Sequence, residues 1–330
     1  MAMNICIALD KLIPAYLYGG TERVVVWLGR GLQEMGHTVS YLAARGSALD
    51  FAPVRELDPS RPLEEQVPAG TDLVHMHTDL PWPEELPACM TRHGNTNRAR
   101  TFHPNTIFVS RKHANNHGAE AFVHLGLDPR EYGEPDFEAR ADARWIFLGK
   151  AAWSVKNIRG TIAVARGAGH ELDVLGGTRL NFKMGFRFTP DRHVHFHGMV
   201  GGEEKHRLMR RSRGLLFPVL WDEPGATAVV ESLYFGLPVL GTPYGCLPEQ
   251  VTEEVGVLSN SLSELVDAAR DHAKYDRRAI HAHWRNGFTY RDMAKKYAAY
   301  YQRILDGEDL HPEPIRSPVV RQKKLYDWLP

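Results

Sequence analysis

The stretch from Trp221 to Val251, WDEPGATAVVESLYFGLPVLGTPYGCLPEQV, constrains the fold more than any other, because loop, helix, turn and strand follow one another without slack. Asp222-Glu223-Pro224-Gly225 reads as a loop entering a helix: proline presets φ for a first turn, and glycine lets backbone approach a ligand closely. Ala226 to Phe235 continues as the helix. Gly236 supplies a left-handed stop, Pro238 follows it, and Val239-Leu240-Gly241 is a short apolar strand. Glu223 lies in the loop and Glu231 in the helix, so the two carboxylates bracket the helix N-terminus. That end carries unpaired N–H groups and about half a positive charge, which suits a phosphate, whereas the carboxylates suit the hydroxyls of a neutral polyol. A sugar nucleoside diphosphate has both parts. Taken alone, two such glutamates more often neutralise a dipole or sit solvated on a helix face.

A chain of 330 residues with 43% apolar side chains suggests two soluble globular domains. With 40 basic and 40 acidic residues, nothing global points to nucleic acid. No apolar run approaches the length of a membrane span, and Met1 to Asp10 lacks the basic and hydrophobic regions of a signal peptide, so the expected location is cytoplasmic. Cys6, Cys89 and Cys246 are far apart and outside any C-x-x-C spacing, as expected of free thiols in a reducing compartment.

Asn4 to Leu9 is a buried-strand signal, and the loop Asp10 to Tyr18 ends in Gly19-Gly20. A helix with Val24, Trp27, Leu28, Leu32 and Met35 at helical spacing follows, then a strand over Thr38 to Leu42, completing a βαβ unit. Gly19-Gly20 is not G-x-G-x-x-G, so a dinucleotide fingerprint is weak here. Ala48 to Gly70 reads as connecting loop. Asp72 to His77 is a strand with His75 and His77 on one face. These read as histidines lining a cleft rather than a metal pair, since no third ligand has recognisable spacing. A further strand ends in Thr91-Arg92-His93-Gly94. Strand and helix signals follow at Asn105 to Ser110 and Arg111 to His117, and another short strand at Ala121 to His124. Tyr132 to Ala143, charged and holding Gly and Pro, reads as the linker.

Beyond it, the strand Trp145 to Leu148 leads to Gly149-Lys150, and Lys156-Asn157 precedes a helix from Ile158. Two cations beside a glycine turn make an electrostatic seat for a diphosphate. His193, His195 and His197 alternate along another strand, which lines rings up rather than converging them on one ion. From Arg92 to His117 there are five Lys or Arg, four His and no carboxylate, a local positive field in a neutral chain.

Gly-Lys, a Lys six residues later, then Glu-x7-Glu with Pro-Gly behind the first Glu and Gly-x-Pro-Val after the helix together resemble the donor motif of family 4 retaining glycosyltransferases. That resemblance implies an α/β GT-B protein of two facing Rossmann-like domains with parallel sheets. The domains are expected at 1–135 for the acceptor and 144–288 for the nucleotide sugar, with a closing helix over 289–305 and a tail, 306–330, without an assigned role. It implies an EC 2.4-type enzyme that moves a sugar from a nucleoside-diphosphate sugar to a sugar-containing acceptor, be it a polysaccharide, a lipid-linked glycan or a small glycoside. Donor-binding residues would be Gly19, Gly20, Lys150, Lys156, Glu223, Gly225, Ala226, Thr227 and Glu231. His93, Glu223 and Lys156 would serve catalysis. Lys150 stands where the family has arginine, so the charge survives without the bidentate fork. No cofactor or metal is expected, as no Asp-x-Asp occurs. The positive field beside His93 suits an anionic acceptor or the inner face of a membrane. A sugar-nucleotide epimerase or a non-catalytic binder of nucleotide sugars would use the same donor groups.

Overall fold

The protein is described by a computed structural model covering residues 2–15, 19–138, 144–182, 184–321 and 325–330. The chain divides into two compact units. The first comprises Met1–Leu127 with Gly287–Arg321, and the second Asp128–Asn286 with Gln322–Pro330.

In the first unit the elements run β1 (Asn4–Ala8), α1 (Gly20–Glu34), β2 (Thr38–Ala43), β3 (Val54–Glu56), β4 (Leu73–Met76), β5 (Ala88–Arg92), β6 (Arg100–Phe102), β7 (Thr106–Phe108) and α2 (Arg111–Asn116). In the second they are β8 (Arg144–Leu148), α3 (Ile158–Gly167), β9 (Glu171–Leu175), β10 (Leu180–Asn181), β11 (Arg187–Phe188), β12 (Val194–Phe196), α4 (Gly202–Arg211), β13 (Leu215–Phe217), α5 (Thr227–Tyr234), β14 (Val239–Gly241), α6 (Leu247–Gln250), β15 (Gly256–Leu258), α7 (Leu262–Arg270) and α8 (Arg277–Arg285). The chain then returns to the first unit with α9 (Tyr290–Leu305) and β16 (Ile315–Ser317), the latter antiparallel to β6.

Each unit holds a six-stranded parallel sheet. The orders are β3-β2-β1-β4-β5-β7 and β12-β9-β8-β13-β14-β15, the same doubly wound pattern twice. The inner strands are short and buried throughout, as β4 (LVHM) and β13 (LLF) show, because helices cover both faces of such a sheet. Trp145, Phe147, Val174, Leu216 and Leu240 form the middle of the second core, and Cys6, Val74 and Met76 that of one core cluster in the first.

In the first unit, α9 packs on α1. Tyr290 donates its hydroxyl proton to the Glu34 carboxylate at 2.7 Å, and Arg291 pairs with the same group at 2.8 Å. Further along α9, Tyr301 and Tyr297 are fully buried and reach β4 and β5 through His75 and Thr91.

Three expectations need correction. The connecting loop over 48–70 contains β3, an exposed edge strand whose partial solvation leaves no apolar run to read. The strand expected over 121–124 is a single bridge between Phe108 and Phe122. Tyr132, read as the first linker residue, is fully buried in the second unit, while 139–143 of that linker lie outside the described residues. The tail also takes a form that its sequence did not suggest. Within the second unit, Leu329 donates to the Asn260 carbonyl, and the Tyr326 hydroxyl donates to Asp222 at 2.6 Å.

Candidate active site

In a doubly wound sheet, ligands bind beyond the carboxyl ends of the strands, where the strand order reverses. In the second unit that point lies between β8 and β13. The carboxyl end of β8 delivers Gly149-Lys150, and the chain leaving β13 delivers Trp221, Asp222 and Glu223. The motif residues therefore reach one place by topology.

Lys156 and Glu223, 67 positions apart, are brought into contact: Lys156 Nζ donates to Glu223 Oε2 at 2.6 Å. The Trp221 indole N–H donates to the same oxygen at 2.7 Å. The two charged side chains are only 12% and 7% exposed, so neither carries the solvated character that an isolated helix-end glutamate would have. Lys156 also lies over the rings of Phe217 and Trp221. Lys150 takes a different partner, its ammonium standing 5.0 Å from the centre of the Trp153 ring. Asn157, in a left-handed conformation, accepts from the Gly160 amide and so starts α3 immediately after Lys156.

The backbone around Glu223 is held by the turn after β14. The Cys246 amide donates to the Glu223 carbonyl at 2.8 Å. Gly245 sits at φ 65°, and a Cβ there would meet the Glu223 nitrogen at 2.1 Å, so only glycine permits this approach. Gly225 and Ala226 lead into α5, which starts at Thr227 without a cap bond from the Ala226 side chain and stops at Tyr234, two residues before Gly236, φ 68°.

Glu231 lies in the second turn of α5 and is also buried. Its Oε1 accepts from Lys205 Nζ at 2.9 Å and from the Tyr132 hydroxyl at 2.6 Å. Lys205 and Tyr132 were missed by sequence reasoning. Lys205 looks solvated in the charged helix GEEKHRLMRR, yet it shares the buried stripe of His206, Leu208 and Met209, a spacing that could have revealed it.

In the first unit, Gly19 immediately precedes α1 and Gly20 begins it, while residues 16–18 of the expected loop lie outside the described residues. His93 follows β5 and His77 follows β4, and His77 Nδ1 meets His93 Nε2 at 2.8 Å. His75 is wholly buried, with Nδ1 on the Tyr301 hydroxyl at 2.7 Å and Nε2 on the Thr91 hydroxyl at 2.8 Å. Burial, with a smaller contribution from His93, pushes the His75 pKa down to about 3. Burial and then Arg92 do the same to His93, and His77 is held well below the ordinary range by burial and its two neighbours. At neutral pH the cluster is uncharged, so His93 can offer hydrogen bonds but not a positive charge.

These depressed values carry a pH dependence. An unfolded histidine binds its proton near pH 6.5, and folded His75 and His93 do not until about pH 3. Its contribution to stability is therefore complete above about pH 6.5 and falls as pH drops below it, by about 1.4 kcal/mol per unit for each such histidine. Thermal unfolding between pH 7 and pH 5 should show the first unit losing stability, and His75→Gln should flatten that dependence. Unchanged transitions in both proteins would contradict the assignment.

His195 and His197 pair across to Glu171 at 3.0 Å and Asp173 at 2.7 Å. Among the described residues, no three His, Cys, Asp or Glu side chains converge as a metal-binding group. No helix among them is long and apolar enough to cross a membrane. The three cysteines are buried and unpaired with one another.

The field expected around Arg92 to His117 is partly neutralised from outside that window. Asp79 bonds Arg92 at 2.6 Å and Arg100 at 3.1 Å, and the three, with Asn95, Asn97 and exposed Arg98, line a pocket of about 420 Å³. A count confined to the window could not reveal Asp79.

Residues 189–274, which include both glutamates of the central motif, match the family described as "Glycosyl transferases group 1". No curated protein matches the chain. Among solved structures, the chain is similar to AviGT4, a glycosyltransferase involved in avilamycin A biosynthesis, at 24% identity and a TM-score of 0.79, covering 93% of this chain and 99% of that one. It is similar to the sucrose-phosphate synthase of Thermosynechococcus elongatus at 14% identity and a TM-score of 0.71, covering 93% and 100%. It is also similar to Anabaena HepE solved with UDP and glucose, at 13% identity and a TM-score of 0.62, covering 91% and 99%. The fold is that of the GT-B glycosyltransferases, and the family match points to a glycosyltransferase enzyme.

Proposed function

We propose that the chain is a retaining glycosyltransferase of the family 4 kind, with the nucleoside-diphosphate sugar held by the second unit and the acceptor by the first. The observation that carries this reading is the buried Lys156–Glu223 pair, with Trp221, where the strand order reverses. In the reaction the bond from the anomeric carbon to the diphosphate breaks, a bond to an acceptor oxygen forms, and the acceptor gives up a proton. Negative charge grows on the leaving diphosphate, and preorganised positive groups aimed there lower the barrier. Lys150, Lys156 and the amides around Gly225, Ala226 and Thr227 are the groups for that task. Glu223 would hold sugar hydroxyls and Glu231 ribose hydroxyls, with neutral His93 near the acceptor and Gly19-Gly20 allowing close backbone approach. Consumption of UDP, GDP and dTDP sugars across an acceptor panel, with the product's anomeric configuration read by NMR, tests this. Equal consumption without acceptor would favour an epimerase, binding without turnover a non-catalytic binder, and an inverted product would remove retention.

Two further expectations belong to this reading. Because lysines and amides supply the countercharge, transfer should proceed unchanged after chelation; a rate abolished by EDTA and restored by manganese would overturn this. The acceptor is anionic, matched by the Arg92, Arg98 and Arg100 pocket, and the location is the cytoplasm or the inner membrane face. Since Arg100 already pairs with Asp79, Arg98 is the cleaner probe. Arg98→Glu should raise the acceptor KM several-fold at low salt and weaken its salt dependence, with donor binding unchanged. An unaltered KM would leave the pocket without a role in acceptor binding.

A further inference from the structure

The two-stranded hairpin β10–β11 inverts the usual amphipathic arrangement. Leu180 pairs with Phe188 and Asn181 with Arg187 across the ladder. Asn181 and Arg187 face inward: Arg187 is buried, bonds the Thr178 carbonyl and Thr189 hydroxyl, and lies over Phe196 of the edge strand β12. Arg179 anchors the hairpin base to the carbonyls of Thr189, Asp191 and Val194. By the period of two, Leu180, Phe182, Phe186 and Phe188 fall on the other face, where they are 48%, 73%, 66% and 60% exposed. The Phe182 and Phe186 rings meet tilted, with centres 5.8 Å apart, and Met184 adds a 63% exposed thioether at the turn. A soluble surface rarely carries a contiguous apolar ladder of this kind unless something covers it.

Charge identifies what covers it. Between Gly177 and Met199 the sequence has Arg179, Lys183, Arg187 and Arg192 against one carboxylate, Asp191. Exposed Arg159 lies close enough to Arg187 to lower its pKa, though less than burial does. A second copy would bring two such cationic segments face to face. Five side chains of this size also expose roughly 500 Å², less than the about 800 Å² per partner of a standard protein interface. Arg187 and Arg179 are turned inward, whereas Arg159 and Arg192 are exposed. An apolar ladder in a segment of net positive charge, with those two exposed cations, fits an anionic lipid surface, where rings enter the acyl boundary and cations meet the headgroups.

We propose that the hairpin 178–189 is a membrane-surface contact that seats its Leu180, Phe182, Met184, Phe186 and Phe188 face in an anionic bilayer. The proposal does not depend on the sugar-transfer reading, and its test needs no turnover. The full chain is sedimented with vesicles of phosphatidylcholine alone or with about one third phosphatidylglycerol. Binding to the anionic vesicles is expected to be at least about tenfold tighter than to neutral ones, and to weaken in high salt. Phe182→Ser with Phe186→Ser should abolish it while the thermal midpoint stays at the parent value, since both rings are exposed. As an independent readout, the Trp emission of Phe186→Trp should shift to the blue and be quenched by brominated lipid. No binding to anionic vesicles, equal binding by the double variant, or no reporter shift would overturn the proposal. So would a concentration-dependent dimer in vesicle-free solution that the double variant breaks, which would assign the face to a second copy.

Discussion

Glu223→Ala should lower sugar-transfer turnover about a hundredfold while changing nucleoside diphosphate affinity far less. On the proposed reading this carboxylate accepts from sugar hydroxyls, and it also fixes Lys156, through contacts of 2.6 Å to Lys156 and 2.7 Å to Trp221. A hydrogen bond to a charged group is worth roughly 1.5–3 kcal/mol, and one lost transition-state donor in other enzymes costs about 100- to 1,000-fold in rate. Glu223→Gln separates the two roles, since it keeps the shape and removes the charge that holds the ammonium. Turnover near the parent value for Gln, with loss for Ala, would mean that hydrogen bonding matters and charge does not. Parent-like turnover in both would place the reacting sugar elsewhere.

The second large effect belongs to Lys205. Its ammonium and the Glu231 carboxylate are 6% and 7% exposed and 2.9 Å apart, so Lys205→Ala leaves a buried carboxylate with the Tyr132 hydroxyl but without its cation. Removing one partner of a buried pair costs about 3–5 kcal/mol, and for a unit of this size the thermal midpoint should fall by about 10 °C. Replacing both partners by apolar groups, Lys205→Met with Glu231→Leu, should recover much of that stability, because no buried charge is then unmatched. It should not recover nucleotide affinity if Glu231 holds the ribose hydroxyls. Calorimetric unfolding and titration with UDP and GDP distinguish the two properties. A double variant that binds like the parent would make Glu231 a structural residue only.

The second unit was the more legible half. Loop, helix, glycine stop and strand from Trp221 to Gly241 appear where local chemistry puts them, because proline, glycine and a continuous apolar run each act within a few residues. The Lys156–Glu223 contact was legible only as a shared ligand, since a pair 67 positions apart depends on strand order, which no local pattern encodes. Tyr132 and Lys205 were hidden for different reasons. One sits in a polar, proline-containing stretch that reads as linker, and the other in a helix where five other residues are charged. Asp79, outside the basic window, cancels part of a field that composition alone exaggerated. The hairpin 178–189 had no place in the reading at all. Its alternation is that of a half-buried strand, and sequence does not say which face is inside.

The helix α9 of the first unit is separated in sequence from the sheet it covers by Asp128–Asn286 of the second. On the ribosome, β1 to β7 and α1 have emerged by residue 127, yet Tyr290, Tyr297 and Tyr301 follow only after about 160 more residues. At roughly 5–20 residues per second that is a wait of about ten to thirty seconds. Through it, the α1 surface that will meet α9 is bare, and His75 lacks the Tyr301 hydroxyl that satisfies its ring. The nascent first unit therefore keeps that surface open to water until α9 has been made.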